Sequence, residues 1–146
     1  MRIWIDADGC PVVNQTIIIA KRLGISVTVV KNHAVSFESN YATVITVDVS
    51  RDAADYYIAN HLETNDLVVT QDNGLAAMVL AKKGLCINQN GKEIHKNNID
   101  FVLDSRHQGR VARLKNQRGP RHKKRTKADD QAFENGLLSI IESNVI

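Results

Sequence analysis

The chain contains only two cysteines, Cys10 and Cys86, far apart and without a Cys-x-x-Cys or His-rich partner motif. That excludes a disulfide framework and a cysteine-built zinc site. No apolar run approaches the roughly 20 residues that a membrane-spanning helix needs. The opening Met1-Arg2-Ile3-Trp4-Ile5-Asp6 places a carboxylate where a signal peptide requires an unbroken apolar stretch. A cytoplasmic protein with no membrane association is the expectation. Aromatic residues make up 5% of the chain, which leaves little for base stacking and shifts weight to phosphate contacts if the partner is a nucleic acid. The five histidines are scattered without ligand spacing. There is no internal repeat and no long linker, so the 146 residues are read as a single domain, long enough for one real core and short for two.

Acidic residues are missing altogether from one window. Between Arg106 and Lys127 stand ten basic residues (Arg106, Arg110, Arg113, Lys115, Arg118, Arg121, Lys123, Lys124, Arg125 and Lys127) and no Asp or Glu. Outside it, nine basic residues face sixteen acidic ones, a net of −7, although the whole chain carries +3. The sequence is an acidic body with a strongly basic segment. Such a run is either a solvated face or a grip on a polyanion. Arg106, Arg110 and Arg113 are spaced i, i+4, i+7, which places them on one face of a predicted helix that Gly119-Pro120 ends. With Arg118, Arg121, Lys123, Lys124 and Arg125 in the following basic loop, they are the expected contacts to a nucleic-acid phosphate backbone, RNA before DNA. The alternative is an internal clasp against the acidic body.

The remainder, with 43% apolar and 24% charged residues, has the balance of a globular protein. Arg2 to Ile5 reads as a buried strand halted at Asp6. Pro11 suits the first turn of a helix that runs to Leu23 and is capped by Gly24. Ile25 to Val30 and Ala42 to Val47 read as strands on either side of a polar loop. Asp52 to Leu62 reads as a helix with Ser50 as N-cap. Leu67 to Thr70 is another strand, Gly74 to Lys83 a helix closed by Gly84, and Leu85 to Asn88 a strand. Asn90-Gly91 signals a hairpin into a short strand around Glu93 to His95. Asp129 to Ile141 closes the chain as an amphipathic helix. This alternation predicts an α/β fold with a mainly parallel sheet flanked by helices.

In such folds ligands bind beyond the carboxyl ends of the strands, and there the acids gather. Asp6 and Asp8 follow the first strand, and Asp48 the third, with Asp52 and Asp55 on the helix after it. Thr70 and Asp72 follow the fourth. Carboxylates crowded at one edge repel, and a hard dication is the usual remedy. It can activate water and neutralise phosphoryl charge in phosphodiester hydrolysis. Each acid also has a plainer reading. Asp52 and Asp55 suit the start of a helix through its dipole. Asp72 suits an N-cap, Asp66 a turn, and Asp48 a solvated loop. Asp6 resists the plainer reading, because a carboxylate ending a buried strand is costly unless paired or metal-bound. Cys10 reads as a small buried residue whose acidic neighbours raise its pKa, which argues against a thiolate nucleophile.

The run Asp6-Ala7-Asp8-Gly9-Cys10-Pro11-Val12 resembles the opening signature of the bacterial YaiI/YqxD family, which is placed among PIN-like domains. The resemblance continues through Asp52-Ala53-Ala54-Asp55-Tyr56-Tyr57-Ile58 and Asp66-Leu67-Val68-Val69-Thr70-Gln71-Asp72-Asn73-Gly74. It extends to Gly119-Pro120-Arg121 with Thr126, Asp129 and Phe133, and so covers nearly the whole chain. It implies a three-layer PIN-like fold and a metal-dependent nuclease acting on RNA or single-stranded nucleic acid. Asp6, Asp55 and Asp72 would hold Mg²⁺ or Mn²⁺, with Asp8 and Asp52 beside them as catalytic groups. The chain departs from the pattern in having Gly9 where Ala is expected and Val13 where Lys is common.

Two other functions compete. Asp6-x-Asp8-Gly9 is similar to the nucleophile loop of haloacid-dehalogenase-type phosphatases, with Asp6 phosphorylated, Asp8 as acid/base and Thr70 on phosphate. Pro11, the small size and the lack of a cap domain weigh against it. A non-catalytic RNA-binding module would keep the basic segment and leave the acids structural.

Overall fold

The computed structural model describes residues 1–50, 52–100 and 124–144. The four residues of β1 (Ile3–Asp6) are all buried, as expected of an interior strand covered on both sides. Helix α1 (Val13–Leu23) follows, then β2 (Val27–Asn32) and β3 (Thr43–Val47). Helix α2 (Ala53–His61) leads to β4 (Leu67–Val69), α3 (Asn73–Ala81) and β5 (Leu85–Ile87). A turn at Asn88–Lys92 reverses the chain into the two-residue β6 (Glu93–Ile94), and α4 (Lys127–Asn144) ends the described residues. No helix among them is long and apolar enough to cross a membrane.

The sheet has six strands in the order β3-β2-β1-β4-β5-β6, parallel except for β6. This is the α/β architecture expected from the sequence, a mainly parallel sheet between helical layers, in the three-layer PIN-like arrangement. The strand alternation decides which layer each side chain meets. Ile3 and Ile5 point into one core with Val27, Val29, Leu67, Val69 and Ile87, covered by Ile19 and Ala20 of α1 and by Phe133, Leu137, Ile140 and Ile141 of α4. Trp4 points to the other, with Val30, Val68 and Cys86, covered by Ile58 of α2 and by Leu75, Ala76 and Val79 of α3.

Several boundaries differ from the sequence reading. Pro11 lies in the turn before α1, which starts at Val13. Ser50 does not cap α2. The N-cap is Asp52, whose side chain makes no capping bond, while the Ser50 carbonyl accepts from the Ala53 amide. At the end of α3 the left-handed residue is Lys83, with φ of 61°, rather than Gly84. The closing helix is longer at both ends than expected. Thr126 and Asp129 cap its start reciprocally: the Thr126 amide donates to Asp129 Oδ2 and the Asp129 amide to Thr126 Oγ1. The predicted helix carrying Arg106, Arg110 and Arg113, the Gly119-Pro120 break, and Arg118, Arg121 and Lys123 lie outside the described residues.

Helix α4 is fixed on the β5–β6 turn by a contact that only glycine allows. A Cβ on Gly136 would fall on the Gly91 carbonyl oxygen, and one on Gly91, at φ of +84°, would fall on the Ala132 carbonyl. Arg125 fastens the same turn. Its guanidinium donates to Gln89 O at 2.8 Å and Asn90 Oδ1 at 3.3 Å, and Nε pairs with Asp130 at 2.7 Å. We expect Gly136→Ala to destabilise the protein by about 1–3 kcal/mol through overpacking, read as a lower urea midpoint. An unchanged midpoint would mean that helix and turn can part without cost.

Candidate active site

The order β3-β2-β1-β4-β5 reverses direction between β1 and β4, and ligand sites of open α/β sheets lie in the crevice at that point. β1 ends there with Asp6, on the same face as Trp4 and therefore under α2 and α3. The register pairs Ile5 with Val69, so the next residue on each strand, Asp6 and Thr70, meet side by side. The Thr70 hydroxyl, 3% exposed, donates to Asp6 Oδ2 at 2.9 Å and accepts from the Asp72 amide at 3.0 Å. Asp72 in turn caps α3, its Oδ1 accepting from the amides of Gly74 at 2.7 Å and Leu75 at 3.2 Å. The Asp72 carboxyl also hydrogen-bonds that of Asp55, buried in the first turn of α2.

Charge is crowded here. The Asp6 carboxyl is held above the usual carboxylate range, first by burial and then by the charges of Asp8 and Asp72, with the Thr70 hydroxyl and the Asp8 amide pulling the other way. Its Oδ1 is buried with no hydrogen-bond partner among the described residues. Asp55 is pushed up to about 7 by burial, by Asp72 as charge and as hydrogen-bond partner, and by Asp6 and Asp52. Three carboxyls from three elements thus feel one another: Asp6 from β1, Asp55 from α2 and Asp72 from the cap of α3. Beside them a cleft of about 240 Å³ is lined by Asp52, Asp55, Tyr56, Asp72, Gly74 and Met78.

The other predicted residues fall as follows. Asp8 and Asp52 are exposed, on the β1 loop and at the N-cap of α2. The plainer reading of Asp72 as a cap holds for one of its oxygens, without removing it from the cluster. Asp48 does not join. It is exposed beyond β3, two strands from β1 and so about 10 Å away in the sheet direction. Two strand ends and a helix, rather than three strand ends, build the cluster. Asp66 is structural. It lies at the opposite end of β4 and accepts from the Arg2 amide, the Trp4 indole and the Glu63 amide at 2.9–3.0 Å. Cys10 has its thiol raised by burial first and also by Asp6, with the Val12 amide and then Arg125 opposing. Gly9 takes φ of +66°, a conformation that disfavours the expected Ala. Val13 packs at the edge of the α1 core. Lys124 is exposed, whereas Arg125 is spent on the contacts to Asp130 and the β5–β6 turn.

The donor set fits a hard dication in kind, since it offers an orphaned buried carboxylate oxygen and a neighbouring acid that holds a proton near neutrality in place of a counter-charge. In arrangement, no group of three or more His, Cys, Asp or Glu among the described residues is placed to hold a metal ion. A cation would have to draw these carboxylates closer than they stand.

A family model described as "Uncharacterized BCR, YaiI/YqxD family" matches residues 4–143. A UPF0178 protein of Alkaliphilus oremlandii is 44% identical over 146 residues, covering 100% of this chain and 94% of the relative. One from Exiguobacterium sibiricum is 45% identical over 141 residues, covering 97% and 96%. Another, from Natranaerobius thermophilus, is 40% identical over 141 residues, covering 97% and 96%. No solved structure matches.

Two outcomes follow from the site's geometry. Asp55 binds its proton up to about 7 when folded but only up to an ordinary aspartate's 3.8 when unfolded. The folded state therefore holds the extra proton in between, and the Asp55 contribution to stability is full below about 4 and lost as pH rises through about 7. Melting temperatures across pH in chelator should fall less steeply over this range for Asp55→Asn than for wild type; identical slopes would contradict the coupling. Thr70→Val strands Asp6 Oδ2 and the Asp72 amide, at a cost of about 1–3 kcal/mol for each unsatisfied group. Urea unfolding should show this loss, and Thr70→Ser should recover most of it.

Proposed function

The chain belongs to the YaiI/YqxD family, and from that premise and its carboxylate cluster we propose that it is a divalent-metal-dependent nuclease acting on RNA or single-stranded nucleic acid. The observation that carries this reading is Asp6: a buried strand-end carboxylate with one oxygen tied to Thr70 and the other without a partner among the described residues. Such an atom is costly unless a cation or a proton satisfies it. Mg²⁺ or Mn²⁺ held by Asp6, Asp55 and Asp72 would supply Lewis acidity toward water and toward phosphoryl oxygens.

The chain's own residues have separable tasks in this reading. Thr70 fixes one Asp6 oxygen and thereby the direction of the other. Asp72 keeps one oxygen on the α3 amides, so its carboxyl is oriented before any ligand arrives. Asp52, exposed at the cleft rim and making no capping bond, would orient or deprotonate an incoming water, with exposed Asp8 as the other such group. Lys124 and the basic residues from Arg106 to Lys123 would meet the phosphate backbone. Arg125 is the exception, because its guanidinium already serves the α4 clasp. A phosphatase using Asp6 as nucleophile is less well supported, since Thr70 is occupied by Asp6 and the Asp72 amide rather than open to phosphate.

The test is turnover of RNA with Mn²⁺, with chelator, and with Asp6→Asn. Wild type should cleave only with the metal, and Asp6→Asn should fall to background while melting in chelator at or above the wild-type temperature, because one of several crowded charges is gone. A mutant that melts well below wild type in chelator would make Asp6 a structural acceptor and sink the reading. RNA binding without any metal-dependent cleavage would favour the non-catalytic module.

A further inference from the structure

Among the described residues Tyr56 is the one exposed Phe, Tyr or Trp, at 59% of its full accessibility. Its neighbour Tyr57 is accounted for, stacked on His61 at 4.1 Å and tilted against Trp4 at 6.3 Å. A single exposed tyrosine on a helix is ordinary and carries no message by itself. Its position does. Asp52, Asp55 and Tyr56 are spaced i, i+3, i+4, so they share one face of α2, and all three line the cleft. The facing wall comes from α3, where Gly74 and Met78 are spaced i, i+4 and Gly74 contributes no side chain. The cleft is therefore two-natured: carboxylates of Asp52, Asp55 and Asp72 beside the apolar surfaces of Tyr56 and Met78.

A ligand that fits this must present a charged group that a cation can bridge to carboxylates and, next to it, a flat uncharged face. A phosphate with its adjacent base does so. In a duplex that face is already stacked and paired, so only an unpaired base can offer it. Tyrosine stacks on any base because every base has a π-face, and methionine supplies a soft surface that adapts to different rings.

We propose that Tyr56 is the stacking platform for an unpaired base of a single-stranded nucleic acid whose phosphate enters the carboxylate cleft. The phosphate's place rests on the nuclease reading above, whereas the stacking stands on binding alone. It also revises the expectation from composition: few aromatics are present, but one stands beside the acids.

The test is equilibrium binding of a fluorescein-labelled oligouridylate and of a blunt RNA duplex of equal length, by anisotropy in Mn²⁺ and in chelator, to the full chain. Tyr56→Ala should weaken the single strand by roughly 5- to 150-fold, the range for loss of one stacked base, and leave the duplex unchanged. Tyr56→Phe, which keeps the ring face, should bind as wild type does. Because Tyr56 is exposed, unchanged melting temperatures should confirm that both variants fold. Oligouridylate binding by Tyr56→Ala within about twofold of wild type, equal weakening of the duplex, or no single-strand binding by wild type would each overturn the proposal. Absent cleavage alongside Tyr56-dependent single-strand binding would overturn the nuclease reading and leave the stacking in place.

Discussion

A carboxylate at the end of a strand covered on both faces has three ways to exist: paired with a donor, protonated, or bound to a cation. Asp6 uses the first for only one of its oxygens, and the arrangement around it follows from that half-satisfaction. Thr70 can reach Asp6 because β1 and β4 are neighbours in register. The same hydroxyl receives the Asp72 amide and so sets where α3 begins. Asp55 then comes down from α2 onto Asp72, and the three carboxyls share a field that leaves Asp55 protonated up to about 7. One threonine hydroxyl thus links the end of a strand, the start of a helix and the ionisation of the cluster.

The topology explains why the cluster is where it is. α1 and α4 cover one face and α2 and α3 the other, so the chain crosses the sheet between β3 and β4. The crevice left by that crossing is bounded by the N-terminal ends of α2 and α3. Helix N-termini favour negative charge through their dipoles, which partly offsets the repulsion among Asp52, Asp55 and Asp72. The opposite end of the sheet solves its own acid in the plain way, with the three donors on Asp66 leaving it no appetite for a ligand.

Much of this was legible in the residues themselves. The halted apolar run at Asp6, the β-branched strands and the Asn90-Gly91 turn gave the element order, because strand burial and turn chemistry are local. The rule that strand ends converge brought Asp6, Asp55 and Asp72 into view within a wider set of acids, and the family resemblance singled out these three. Strand order is not local, and this is why Asp48 could be counted among the strand-end acids beside Asp6: only the sheet places β3 at its outer edge. The role of Arg125 was hidden for a related reason. Within a basic run it looks like its neighbours, and only its distant contacts to Gln89 and Asn90 set it apart. Tyr56 carried a readable signal, four residues after Asp52 on a helix, which the low aromatic content obscured. The Gly91–Gly136 contact had none, since nothing in either local sequence names the other.

That contact orders the birth of the protein as well as its finished form. Gly91 and the sheet leave the ribosome well before Gly136, so among the described residues only α1 is there to cover the face formed by Ile3, Ile5, Leu67, Val69 and Ile87 until α4 emerges. During that interval a β-branched apolar surface is open to other chains, the condition in which partly folded proteins associate. Phe133, Leu137, Ile140 and Ile141 are the last part of this core to arrive, and the two glycines let them seat without first displacing backbone.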